Sequence, residues 1–431
     1  MQTSDADNLF RTESAIRDEE ARRLKADRTK NIGEPITISS KVIKAVVRGD
    51  EVWTAESAHI ARRVDLQTGK TLQIYKGHTG PVTCLALYDL VSSDGTSELL
   101  LITGSWDKSI KIWNTSSKQV ICDTPAHGDF VKSLFIMQSS RILVSGSSDK
   151  SAKLWDLSNL ASSLEIQRPL HQLASLSGHT RPVEALAYSD DVPNTLLTAD
   201  SMGVIKVWSL EDRWQLSPES LPTVKARLHE HATAHSTGIN DLVMDSGYLW
   251  TASTDQTVTL RQYHSKTPLI TSPASQHTLE RREPARCVLV VAHKLPRMPY
   301  VLIASGDMIC LYDVEELLSS ADEEDDKEDP ATKLRRGRAR LLCEVDVHSQ
   351  PVTSLGIWRK ETPEGAAPWI VSGSLDGTLR RWDLAELVAG KIPKAVAPDL
   401  CKIVAEGNTG GKLSALTEEE ERELAEMMAE D

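Results

Sequence analysis

The chain has 431 residues and a formal net charge of −13, a sign that argues against general binding to nucleic-acid phosphates. Residues 321–329 hold seven acids and one lysine and residues 417–431 hold eight acids and one arginine, so these two segments carry the whole surplus and the remainder is neutral. No run of 18 apolar residues marks a membrane span, the polar N-terminus has no apolar signal core, and the six cysteines form no CxxC pair, which predicts a reduced chain of the cytoplasm, the nucleus or both.

Residues 10–31 are charged and favour a helix. Thr12 is positioned to cap it, and Glu13–Arg17, Asp18–Arg22 and Glu19–Arg23 are i,i+4 pairs of the favourable order. Its apolar stripe is thin, with Ile16 and Leu24 prominent. A solvated helix or frayed tail and a partner-bound helix both fit that pattern. Next come Pro35-Ile36-Thr37-Ile38 and a strand-like run over 42–47.

From residue 54 the sequence repeats. Residues 103–113 align with 145–155 and 372–382, weaker copies occupy 198–208 and 251–261, and degenerate ones occupy 54–64 and 305–312. A second element, Val-x-x-Leu-x-apolar, precedes five of the seven, as at Val82/Leu85/Leu87 and Val352/Leu355/Ile357. A histidine stands just upstream each time: His78, His127, His179, His235 and His348. Short apolar runs bounded by Gly, Ser and Asp are strands. Four short strands per unit at this period describe the blades of one β-propeller.

Gly77-His78 and Gly178-His179, with Trp155-Asp156 or Trp382-Asp383 closing a unit, resemble the WD40-repeat family over about residues 35–390. The resemblance implies an all-β, seven-bladed propeller with short helical extensions at both ends. It implies a buried network in each blade, formed here by His78, Asp107 and Trp113, by His127, Asp149 and Trp155, and by His348, Asp376 and Trp382. The fourth blade keeps His179 and Trp208 but has Met202 in the aspartate slot, and the fifth has Asp255 but Arg261 in place of tryptophan. Those blades, and the first and sixth, are expected to lean on apolar packing. The resemblance also places Trp106, Asp129, Phe130, Arg181 and Leu375 on the top surface, where they are candidates for protein binding. Phe130 has a plainer reading too, since it fills the slot held elsewhere by Pro81, Pro182 and Pro351. An outer strand for blade seven is supplied either by residues 35–38 or by 401–405, the former being favoured.

Three segments fall outside the blades: an N-terminal extension over 1–34, an acidic insertion over about 316–339 read as disordered, and a linker with an acidic helix over 391–431. In the last, Thr417 and Glu420 form a capping box, and Leu416, Leu424, Met427 and Met428 share one narrow stripe. Such a short helix needs a surface, whether a partner or its own propeller; otherwise it is an acidic tail. Docking on a partner is the favoured reading.

No GxSxG, HExxH, P-loop or dinucleotide fingerprint occurs. His229, His231 and His235 have the spacing of metal ligands, but His235 is the repeat histidine. The reading is therefore a non-catalytic scaffold with no cofactor, no metal, no small-molecule substrate and no direct nucleic-acid partner. It joins other proteins into a multisubunit assembly. The competing reading is a substrate receptor of a cullin-type ubiquitin ligase. It is weakened because Trp155-Asp156-Leu157-Ser158 and Trp382-Asp383-Leu384-Ala385 lack the arginine of a Trp-Asp-x-Arg box.

Overall fold

The structure is a computed structural model that describes residues 12–391, apart from 92–96, 161–168, 190–193, 212–223, 246, 263–275, 292–297, 323–337 and 364. Met1–Pro393 form one unit; Lys394–Asp431 form a second, which lies outside the described residues together with Leu416, Leu424, Met427 and Met428.

Seven four-stranded antiparallel sheets make up a seven-bladed propeller. The innermost strands of blades one to seven are Val42–Arg48, Val82–Val91, Val131–Met137, Val183–Ser189, Ile239–Asp245, Ala285–Val290 and Val352–Thr362. The second strand of a blade is buried on both faces, as at Ile142–Ser147, Thr195–Asp200 and Tyr248–Ser253. A strand covered by a neighbouring blade on each side has no solvent face, so its sequence is a continuous apolar and small-polar run. The hydrophobic core is correspondingly divided into seven clusters, one at each seam between consecutive blades.

Blade seven is completed by the N-terminal segment. Its own strands are Val352–Thr362, Gly365–Ser374 and Thr378–Asp383, and the fourth is Ile36–Thr37, with Ile36 opposite Leu379 and Thr37 opposite Thr378. This removes an open sheet edge at the point where the ring closes. The chain enters that strand through Gly33 at φ +74°, where a Cβ would stand 2.6 Å from Trp382 Cζ2.

Helix α1 (Glu13–Thr29) precedes the closure, and the Thr12 hydroxyl caps it by accepting from Ala15 N at 3.3 Å. The structure departs here from both expected readings. Most of the helix is exposed, Leu24 included, but its last turn is tied to the chain's own propeller. Buried Thr29 donates to Val347 O at 2.8 Å, Arg380 donates to the carbonyls of Thr29 and Ile32, and Lys25 pairs with Asp307 and Asp346. Charge, not an apolar stripe, anchors it.

The insertion in blade six also needs correction. Its beginning is not disordered: α2 (Glu315–Asp322) is a helix whose Leu317 is fully buried in the seam between blades five and six. Val314, Leu317 and Leu318 stand at i, i+3 and i+4, the spacing that turns one helical face inward. The remainder, 323–337, lies outside the described residues, and the outer strand follows at Arg340–Asp346. A further short helix, α3 (Leu384–Val388), is capped by Asp383 and buries Leu384 and Leu387.

Candidate functional site on the top face

The face that carries the turns between second and third strands, here the top, is organised by four-residue hydrogen-bond relays. In blade two, Asp107 Oδ2 lies 2.7 Å from His78 Nδ1, Thr103 Oγ1 lies 2.8 Å from His78 Nε2, and Trp113 Nε1 donates to Thr103 Oγ1 at 2.8 Å. Blade three repeats this with Asp149, His127, Ser145 and Trp155, and blade seven with Asp376, His348, Ser372 and Trp382. The donor order follows from the chemistry. An ionised carboxylate only accepts, so Nδ1 carries the proton; Nε2 then accepts from the hydroxyl, which in turn accepts from the indole.

Electrostatics agree with this assignment. Burial pushes the Asp149 and Asp376 carboxyls up, but hydrogen bonds outweigh it and bring both down to about 2: from Ser151 and His127 for Asp149, from His348 and Thr378 for Asp376. Burial lowers the pKa of His127, His235 and His348, which favours neutral imidazole.

Two blades correct the sequence reading. Blade four does not lack its acid: Asp200 Oδ2 lies 2.9 Å from His179 Nδ1, and Thr198 links His179 to Trp208. Met202 is merely the exposed turn residue. Blade one has no such histidine, yet its buried Glu56 occupies the same position on the second strand as Asp200. It accepts from Thr54 at 2.8 Å, from Arg62 Nε at 2.7 Å, and from Ser40. In both blades the carboxylate comes from the strand end, two residues before the usual turn, which an alignment on the turn aspartate overlooks. Blade five joins His235 to Asp255 and Thr251, with Thr259 hydrogen-bonded to Thr251 where the indole would be. In blade six Ile303 takes the hydroxyl position, so no relay forms, although Tyr312 holds the tryptophan position.

Each of the four turn aspartates also holds the loop after its histidine, whereas Asp200 accepts from Met202 N and Val204 N instead. Asp107 accepts from Thr79 N at 3.0 Å, and Asp149 accepts from Gly128 N at 3.1 Å. The residues beside these anchors are Trp106, Asp129 and Phe130. Trp106 and Phe130 are 43% and 36% exposed, and their rings stack at 4.9 Å with 17° between planes. Phe130 fits the plainer of its two readings in its backbone. Its carbonyl accepts from Ser148 N as Pro81, Pro182 and Pro351 accept from Trp106, Ser201 and Leu375, while its ring remains outside. Asp129 caps Phe130 N at 2.8 Å. Leu375 lines a central cavity together with Trp106; Arg181 is exposed and does not line it.

That cavity, of about 360 Å³, is the upper part of the central channel. All seven inner strands carry a register shift between their first and third residues. The residues so extruded are Ile43, Thr83, Lys132, Glu184, Asn240, Arg286 and Thr353, and all seven line the cavity. Several staple one blade to the next: Thr83 to Val131 O, Asn240 to Ala285 O, Thr353 to Val42 O, and Lys132 to Glu184 at 3.4 Å. One residue on, the Asp241 carboxylate raises the pKa of the Lys44 ammonium and accepts from Val288 N at 3.0 Å. Sequence reading passes over this ring, because bulged residues break the alternation that marks inward and outward faces.

The family described as WD domain, G-beta repeat matches residues 69–114, 118–156 and 340–383. Those stretches contain the three inner strands of blades two, three and seven, whose relay acids stand at the turn; blade four, with its displaced Asp200, is not among them. The chain is 28% identical over 441 residues to an uncharacterized WD repeat-containing protein of Schizosaccharomyces pombe, covering 99% of this chain and 100% of the relative. Shorter likenesses are to WD repeat-containing protein 18 of Rattus norvegicus, 41% over 61 residues (14% of this chain, 12% of the relative), and to a WD repeat-containing protein 55 homolog of Dictyostelium discoideum, 25% over 95 residues (22% and 21%).

Proposed function

The chain belongs to the WD-repeat family, and from that premise we propose that it is a non-catalytic scaffold that joins other proteins into a multisubunit complex through the top face of its propeller. The observation that supports this most is the stacked pair Trp106 and Phe130. Two large aromatic rings left in solvent lose the burial that would stabilise them, and such side chains are the usual energetic anchors of interfaces. They are also held in place. Trp106 adjoins Asp107, and Phe130 follows Gly128, whose N–H is bound by Asp149, so the relays fix the backbone on both sides of the pair. A partner meeting a preorganised surface loses less conformational freedom on binding.

In this reading the C-terminal stretch, with Leu416, Leu424, Met427 and Met428, supplies a second docking element, and the assembly resides in the cytoplasm or nucleus. Affinity purification of the full chain with mass spectrometry tests the proposal. Trp106→Ala with Phe130→Ala is expected to fold normally and lose at least one partner. Deleting residues 414–431 is expected to lose another. Retention of every partner by the folded double variant overturns the top-face reading.

A further inference from the structure

The channel cavity has a charge that nothing among the described residues answers. Its lining carries three cations, Lys44, Lys132 and Arg286, against two carboxylates, Glu184 and Asp241. Lys132 is paired with Glu184 at 3.4 Å, and Lys44 is the ammonium that Asp241 favours. Arg286 remains. Its Nε is buried with no hydrogen-bond partner, and no ion pair joins its guanidinium to any carboxylate among the described residues. The other polar residues of the extruded ring, Thr83, Lys132, Glu184, Asn240 and Thr353, all reach the adjacent blade. A guanidinium has five N–H donors and no acceptor; Arg286 is half-buried, and its buried Nε–H stays unsatisfied unless a ligand supplies an acceptor.

We propose that Arg286 receives an acidic side chain of a partner peptide, inserted into the channel from the top face. The proposal rests on the top-face reading and names the chemistry of what binds there. A carboxylate rather than a phosphate follows from the count: one negative charge balances three cations against two anions, whereas a phosphate group brings roughly −1.5 to −2. The neighbour of that acidic residue is apolar or aromatic, because Trp106 and Leu375 line the same cavity and Phe130 extends the Trp106 surface. At about 360 Å³ the cavity accommodates side chains, not a folded domain.

The test uses the full-length chain and a display library of random heptapeptides, with selected peptides measured by fluorescence anisotropy. Selected sequences are expected to place Asp or Glu beside an apolar or aromatic residue. Replacing that acid by its amide in the peptide, or Arg286→Gln in the protein, is expected to weaken binding roughly tenfold or more. The two changes together are expected to do no more than either alone, as for groups that bind each other. Arg286→Lys is expected to restore part of the loss, and the melting transition of both variants is expected to match that of the parent. Peptides that bind without acidic preference, yet are lost with Trp106→Ala, leave the top-face reading standing and overturn this one. So does an acid whose replacement costs the same with or without Arg286. Tighter binding when phosphoserine replaces the acid assigns the site to phosphate and also overturns it. Selection of no peptide, or of peptides indifferent to Trp106 and Phe130, overturns both.

Discussion

Asp200 reaches His179 Nδ1 at 2.9 Å from the end of a strand, two residues ahead of the turn position that Asp107, Asp149, Asp255 and Asp376 hold in their blades. The imidazole is satisfied in both arrangements. Only the donor strand's final residue and the turn exchange roles, so Met202 is left with nothing to do in the core. Asp200→Ala is therefore expected to destabilise the fold by about 2–3 kcal/mol in urea denaturation, since His179 loses a charged acceptor while remaining buried. Met202→Asp is expected to change stability by less than about 0.5 kcal/mol. The reverse order of effects would contradict the assignment.

The tryptophan of the relay combines volume with a hydrogen bond. Trp113→Ala is expected to cost about 3–5 kcal/mol, as for a buried large-to-small change. Trp113→Phe retains much of the ring and loses only the indole donor, so about 1–2 kcal/mol is expected, with Thr103 left short of one partner. A thermal melt of the alanine variant unchanged within about a degree would sink the buried assignment.

Closure of the ring offers a backbone test. At Gly33, φ is +74° and a Cβ would collide with Trp382, so Gly33→Ala is expected to cost at least about 2 kcal/mol, from left-handed strain and steric overlap together. Lys150 has a similar φ of +69° but lies in a surface turn. Lys150→Gly is expected to be neutral within about 0.5 kcal/mol, because relief of strain offsets the added freedom of the unfolded chain. Equal effects at the two sites would show that the N-terminal segment does not press on Trp382.

Acid should weaken the propeller in two stages. The pKa of His127, His235 and His348 is lowered by burial, so below about pH 6.5 the unfolded chain binds protons that the folded chain does not. Stability then falls with falling pH, by up to about 1.4 kcal/mol for each at pH 5.5. Asp149 and Asp376, held down at about 2, contribute stability that is present above about pH 4 and disappears as pH falls through 2. Urea midpoints at pH 7.5, 6.5, 5.5 and 4.5 measure the first stage. A flat profile from 7.5 to 5.5 would mean that these histidines are not buried as neutral groups.

Strand period, the spacing of His, Asp and Trp, and the count of seven units are legible in the residues themselves, because every blade but the seventh, which borrows Ile36–Thr37, pairs strands within about fifty residues of one another. Pairs such as His127 with Asp149 or Trp155 with Ser145 are near in sequence, so the spacing alone predicts them. The stacking of Trp106 on Phe130 joins blades two and three, and the docking of Thr29 and Lys25 on Val347 and Asp307 joins residues some three hundred apart. Those contacts depend on how closed blades face one another. The same holds for the channel: the seven extruded residues have no shared sequence signature, ranging from Ile43 to Arg286, and become a ring only when the inner strands surround one axis. Sequence determined the blade and its internal relay through short-range pairing and periodicity. Tertiary closure alone decided which side chains were left facing solvent, and which cation was left in the channel without a counter-charge.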